Sequence, residues 1–199
     1  MYYWRKLSEK DREFVLAERK ANKLPWHSPP HLVFKGRNRY LITATCFEHK
    51  HIVGQSLKRM TECEAGVLDI CRKLDAEIFA WCILPNHYHI LVQTDDLETL
   101  TKHLGKFHGS SSFEWNGADD ARGRQVWCRC FSRSIRSDGH FWASVNYVHQ
   151  NPIHHGYVEQ WQDWLFSSAA EYLQNVGRDK ALEIWRKYPI LDYGKNWDI

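Results

Sequence analysis

The predicted elements run β-α-β-β-α-β, the order of an α+β fold in which a ferredoxin-like antiparallel sheet carries packed helices. Two observations predict it. Runs rich in β-branched and aromatic residues, Arg39 to Phe47 and Ile78 to Gln93, alternate with stretches whose apolar residues recur at helical spacing. The second run is also interrupted by Pro85-Asn86, a turn pair that folds it into two antiparallel strands, Ile78 to Leu84 and His87 to Gln93.

Ser8 to Lys23 opens with a Ser-x-x-Asp capping signature and reads as a helix. Pro25, Pro29 and Pro30 end it, so Leu24 to His31 reads as an extended arm with aromatic anchors. The strand Arg39 to Phe47 follows, then a helix from Leu57 to Leu74, the Ile78 to Gln93 hairpin, and a second helix from Asp95 to Phe107. Gly109 to Gly123 is polar and glycine-containing and reads as a loop before a strand from Trp127 to Ile135. Ser137-Asp138-Gly139 starts a helix expected to end near Asn151, because Pro152 disfavours the helical conformation in the residue before it. Gly156 follows as the break. A helix start at Ser167 to Glu171 and a short helix from Ala181 to Lys187 form a C-terminal helical wrap. The expected organisation is an N-terminal helix and proline-rich arm over 1–38, one main domain over 39–175 and a tail helix over 176–199.

A chain of 199 residues, 43% hydrophobic and 26% charged, is long enough for one domain with a full core. No apolar run approaches the ~20 residues of a membrane span, and the N-terminus has no secretory pattern. A cytoplasmic protein with no membrane partner is expected, and its six cysteines are expected to be reduced. Cys46, Cys71 and Cys82 sit in apolar segments and read as core. Cys128 and Cys130 share one face of a strand and could bind metal, but no second CxC or CxxC completes a thiolate site.

The net charge of +3 neither demands nor excludes nucleic acid. Its distribution says more. Between Ala121 and Ser137 stand Arg122, Arg124, Arg129, Arg133 and Arg136 with no acid, interleaved with Trp127 and Phe131. Such a segment suits a phosphate backbone with bases stacked on rings; the plainer reading is a solvated basic hairpin.

His87-Tyr88-His89 lies in a strand, so both imidazoles share one face while Tyr88 points into the opposite layer. Two neighbouring imidazoles can chelate a divalent cation. Twelve histidines make chance pairs expected, and His49-Lys50-His51 is another. The His87 pair differs in standing inside a strongly apolar strand, where imidazoles without partner or ligand are costly. Tyr147 precedes Asn151 by one helical turn, so a phenol and an amide oxygen could converge. On the residues alone, Tyr147 equally reads as core packing beside Val145 and Val148, and Asn151 as a helix terminator.

Four motifs then occur in order: Leu84-Pro85-Asn86-His87-Tyr88-His89-Ile90-Leu91-Val92, Val126-Trp127, Tyr147-Val148-His149-Gln150-Asn151-Pro152 continuing to Val158, and Trp164-Leu165-Phe166-Ser167-Ser168 with Tyr172. Together they resemble the single-tyrosine HUH transposases, specifically the REP-associated tyrosine transposases, from about Tyr40 to Leu173. The resemblance implies an HUH endonuclease core with His87 and His89 as metal ligands, Asn151 in the third ligand position and Tyr147 as the nucleophile. It implies a Mg²⁺ or Mn²⁺ cofactor and a single-stranded or hairpin DNA partner. The implied reaction is a nicking and joining cycle through a 5′-phosphotyrosine, run by a monomer or homodimer. His149 is a candidate base for the phenol. Tyr88 departs from the smaller aliphatic residue usual at the centre of the motif, and Asn151 from the glutamine often found in the wider family, although asparagine before proline is usual in the REP-associated branch. Two rival readings are a non-catalytic hairpin-binding module, and a metal-dependent hydrolase or structural metal protein that joins the histidines with Cys128 and Cys130.

Overall fold

The computed structural model describes residues 8–21 and 36–191 together with Tyr193. The expected arm from Leu24 to His31 lies outside them. The chain divides into two compact units, 1–33 and 34–199. The first holds helix α1 (Glu9–Ala21), and Ser8 caps it as the sequence predicts, its hydroxyl accepting from the Asp11 amide at 3.2 Å.

The second unit is an antiparallel sheet with helices on both faces. Strands β1 (Asn38–Thr45), β2 (Glu77–Ile83), β3 (His87–Thr94) and β4 (Phe131–Ser134) lie in the order β2-β3-β1-β4. Each strand is antiparallel to its neighbours. With helices α2 (Leu57–Lys73) and α3 (Leu97–Ala118) between the strands, this is the predicted ferredoxin-like arrangement. Helix α4 (Asp138–His154) follows β4, and α5 (Ala169–Val176) and α6 (Arg178–Lys187) close the chain.

Side-chain alternation divides the core in two. Tyr40, Ile42, Ala44, Tyr88, Ile90 and Val92 pack in one cluster with Met60, Val67, Leu100 and Leu104 of α2 and α3. Leu41, Ala80, Cys82 and Leu91 point the other way, into a cluster with Phe141, Val145, Tyr147 and Val148 of α4. Both faces of β3 are therefore covered, which is why this strand reads as an almost unbroken apolar run.

Three local expectations are corrected. The second helix does not stop at Phe107 but runs to Ala118, absorbing much of the stretch expected to be a loop. Its serines are compatible with helix because Ser110 and Ser112 turn their hydroxyls back onto the carbonyls of Phe107 and His108. Trp115 meanwhile buries in the core. The strand expected from Trp127 is only four residues long, Phe131–Ser134, since Trp127 makes an isolated bridge to Cys46 before the chain leaves the sheet. Helix α4 passes through Pro152 and continues to His154. The bonds that follow the proline are kept: His155 N–H donates to the Asn151 carbonyl at 3.1 Å and Tyr157 N–H to that of Pro152 at 2.9 Å. Gly156, at φ 72°, then reverses the chain.

Candidate active site

The turn between β2 and β3 sets the site in place. Leu84 N–H donates to the His87 carbonyl at 2.8 Å, and Gly54 N–H to the Pro85 carbonyl at 2.9 Å. His87 and His89 then emerge on the α4 side of β3, fully buried, with ring centroids 4.9 Å apart. Tyr88 goes to the opposite layer, where its hydroxyl meets His108 Nε2 at 3.1 Å. Burial among apolar neighbours raises the Tyr88 phenol well above its ordinary pKa.

Each of the paired imidazoles has its Nδ1 held. His87 Nδ1 lies 2.7 Å from Asn86 Oδ1, and that amide is itself oriented because its Nδ2 donates to the His49 carbonyl at 3.2 Å. His89 Nδ1 lies 2.7 Å from Thr43 Oγ1, its cross-strand partner on β1. With the Nδ1 atoms as donors, the Nε2 lone pairs of both rings face α4. Asn151 Oδ1 stands 3.2 Å from His87 Nε2, an acceptor opposite a lone pair, while Asn151 Nδ2 is buried with no hydrogen-bond partner among the described residues. The Tyr147 hydroxyl is 3.4 Å from His89 Nε2, and the two rings meet edge to face at 5.0 Å.

Tyr147, only 6% exposed, and Asn151 reach this point together because they lie one turn apart on a helix that packs along β2 and β3. The capping hydroxyl of Ser137 accepts from His140 N–H at 3.1 Å and fixes where that helix begins. Tyr193 lies edge-on to Tyr147 at 5.6 Å and bonds Ser144 Oγ at 2.6 Å. His155 stands 5.0 Å from the His87 ring. Two imidazole nitrogens, one amide oxygen and one phenol of a single chain thus converge.

The sequence across residues 31–160 matches the family described as IS200-like transposase. The chain belongs to that family. A relative in Haemophilus influenzae that carries the REP-associated tyrosine transposase name is 33% identical over 153 residues, covering 70% of this chain and 79% of that protein. A second REP-associated tyrosine transposase, from Escherichia coli K12, is 27% identical over 108 residues, 52% of this chain and 60% of its own. The transposase also shares its fold with a solved REP-associated tyrosine transposase bound to a REP hairpin: TM-score 0.57, 22% identity, 75% of this chain and 85% of that one.

Other residues singled out in the sequence lie elsewhere in the transposase. Trp127 is not available as a stacking platform: it is buried, stacked on His108 at 4.5 Å, and its indole N–H donates to Ser111 Oγ at 3.1 Å. Arg124 is committed internally to Asp119 at 2.7 Å and Asn116 Oδ1 at 2.9 Å. Arg122 donates to the Phe113 carbonyl at 2.6 Å and lies over that ring. Arg133 lies over Phe131, whereas Arg129 and Arg136 are exposed. His149 does not face the phenol: it bonds Ser168 Oγ at 2.9 Å, and burial pushes its pKa down to about 3. Cys130 sits 3.8 Å from His108 Nδ1, and all six cysteines are free. Among the described residues, no group of three or more His, Cys, Asp or Glu side chains is placed to hold a metal, so the histidines do not join Cys128 and Cys130. No described helix is long and apolar enough to cross a membrane. Thr43 carried no sequence signal for a role and Asn86 only that of a turn within the histidine motif; the register and the turn bring each to an imidazole Nδ1.

Proposed function

We propose that this transposase is a divalent-metal-dependent endonuclease and strand transferase that cuts single-stranded DNA beside a hairpin through a 5′-phosphotyrosine on Tyr147. The convergence of the Tyr147 hydroxyl with His87 Nε2, His89 Nε2 and Asn151 Oδ1 carries the reading. The donor set fits a cation, because the Asn151 oxygen and the His87 lone pair face each other across 3.2 Å, a contact that a positive charge between them relieves. Turning the amide over would satisfy the pair without metal, so metal binding is a direct test. Mg²⁺ or Mn²⁺ held by His87, His89 and Asn151 would draw charge from the scissile phosphate and orient it.

The phenol oxygen of Tyr147 attacks phosphorus, one P–O bond forms and the bond to the 3′-oxygen breaks. The phenolic proton passes to solvent, and the departing 3′-oxygen takes one up. One phosphodiester replaces another, so no nucleotide hydrolysis is needed. Attack by the 3′-hydroxyl of a second strand on the phosphotyrosine reverses the step and joins new DNA. Arg129 and Arg136, exposed near β4, are the arginines suited to the backbone phosphates. Hairpin DNA is the substrate by analogy with the solved relative.

The test is a denaturing gel of protein incubated with end-labelled hairpin DNA and Mn²⁺. A denaturant-stable adduct is expected, absent in Tyr147→Phe and lost on chelation. Strand cleavage that persists in a folded Tyr147→Phe protein would overturn the proposal.

A further inference from the structure

Of the five arginines in the basic segment, Arg133 is the one that stands inside a strand, and the register turns it toward the candidate site. It lies opposite Leu41 of β1, and Leu41 packs with Tyr147 in the cluster beneath α4. Directly paired residues of neighbouring strands share a face. Phe131, two residues earlier on that face, pairs with Thr43, which pairs in turn with His89. Phe131, Thr43 and His89 thus stand abreast, with β4 about 10 Å from β3. The Arg133 guanidinium leans toward that row, its carbon 5.8 Å from the Phe131 ring centroid. Its charge acts close to the phenol. Burial lowers the His140 pKa and Arg133 lowers it further, while Arg133 opposes the burial that raises the Tyr193 phenol. Tyr193 is the ring that meets Tyr147 edge to face. Arg133 is only half-buried, on the last strand of the sheet.

We propose that Arg133 is a further catalytic residue, its guanidinium donating to a non-bridging oxygen of the phosphate that Tyr147 attacks. The proposal rests on the nuclease reading above. Once the phenolic proton is lost, the reacting phosphoryl group carries one more negative charge than the diester did, spread over its equatorial oxygens. The imidazoles, the amide and the phenol that converge there are neutral groups, so apart from a bound cation they bring no positive charge to meet it. A guanidinium supplies one, and its fork of N–H donors matches phosphate oxygens. Such a donor acts most strongly where water is partly excluded, which half-burial beside Phe131 provides. The other arginines of the segment are placed differently: Arg122 and Arg124 are bound internally, and Arg129 and Arg136 are exposed and suit the flanking phosphates.

The experiment measures adduct formation in a single turnover, with Mn²⁺ and saturating hairpin DNA, in the parent, Arg133→Met and Arg133→Lys. Methionine keeps an unbranched apolar stem over Phe131 and deletes the charge. At the mapped cut site the DNA carries either the natural phosphate or a methylphosphonate, in which a neutral methyl group replaces one non-bridging oxygen; the two diastereomers are tested separately. On natural DNA, Arg133→Met is expected to react about 100-fold more slowly, with hairpin and Mn²⁺ affinities within about threefold of the parent. Arg133→Lys is expected to recover part of the rate, since it restores the charge without the fork. On one methylphosphonate diastereomer the gap between parent and Arg133→Met is expected to shrink below about threefold, because the oxygen that the guanidinium serves is gone. A gap that neither diastereomer narrows gives Arg133 a structural role and overturns the proposal. So does a folded Arg133→Met protein that reacts at the parental rate, whether or not it binds the hairpin more weakly. All of these leave the tyrosine reading standing. If Arg133→Met does not fold, Arg133→Lys carries the same comparison. A parent that forms no adduct overturns the nuclease reading and the proposal with it.

Discussion

Replacing Asn86 by alanine removes one carboxamide from the site while leaving every candidate ligand in place. That carboxamide has two bonds, 2.7 Å to His87 Nδ1 and 3.2 Å to the His49 carbonyl. Loss of the first takes an acceptor from a fully buried imidazole, which costs stability by about 1–3 kcal/mol. It also frees the ring to rotate or to change tautomer. Partners that fix a ligating histidine contribute about 10–100-fold in metal affinity, or about 1.4–2.7 kcal/mol. The assay is the electron paramagnetic resonance signal of aqueous Mn²⁺, which disappears as the ion binds, with thermal unfolding alongside to establish that the variant is folded. Asn86→Ala is expected to weaken Mn²⁺ binding by that factor, and Thr43→Val to do the same through His89. A folded Asn86→Ala protein that binds Mn²⁺ within about twofold of the parent would refute the claim that Nδ1 anchoring prepares the ligand.

Gly54→Ala would drive a methyl group into Pro85, whose Cα lies 2.8 Å from the new carbon. A loss of about 1–3 kcal/mol in urea unfolding is expected, with a drop in adduct yield because Asn86 is the next residue; unchanged stability would show that the turn yields freely. His108 and His149 are buried neutral, with pKa values pushed down to about 4 and about 3. Their contribution is therefore complete above the unfolded histidine value of ~6.5 and is lost as pH falls below it, because only the unfolded chain takes up the protons. Denaturant titrations between pH 7 and 5 should show stability falling with a slope approaching about 1.4 kcal/mol per pH unit for each ring, and a pH-independent midpoint would contradict the burial. Asp119 bonds Arg59 at 2.6 Å and Arg124 at 2.7 Å, which hold its carboxyl down at about 2. Its support is present above pH ~4 and fades only toward pH 2. Asp119→Ala, which leaves the buried Arg59 guanidinium with neutral acceptors only, Gln55 Oε1 and the Ile52 and Trp115 carbonyls, should cost about 1–3 kcal/mol at pH 7 by calorimetry.

The sheet was legible because hydrophobic periodicity and turn chemistry agree along β1, β2 and β3, and element order alone then selects the topology. What periodicity misjudged were places where long-range packing overrides local preference. Gly109, Ser110, Ser111 and Ser112 look like loop, yet α3 continues through them because Trp115 has a core to enter and the serine hydroxyls bond within the helix. Pro152 looks like a stop, yet it removes only one donor, and the helix goes on to His154 before Gly156 breaks it. The basic segment from Arg122 to Arg136 holds two residues, Arg124 and Trp127, whose burial or internal bonds composition does not reveal. Composition cannot tell an arginine bound to Asp119 from one open to solvent, nor a buried indole from an exposed one.

The candidate site divides along the same line. His87 and His89 are two residues apart and Tyr147 and Asn151 four, so strand and helix periods by themselves place each pair on one face. That the two faces meet depends on α4 crossing β3 at one particular height, which no local spacing encodes. The support for the imidazoles is more distant still: Thr43 reaches His89 only because β1 pairs with β3 in the register that sets residue 43 opposite residue 89. A one-residue slip would send Thr43 to the other face and leave the His89 Nδ1 proton to find another acceptor. The strand pairing that builds the hydrophobic core is therefore also what orients the ring, and Thr43→Val separates the two roles, since it keeps the β-branched shape of the strand and deletes only the oxygen.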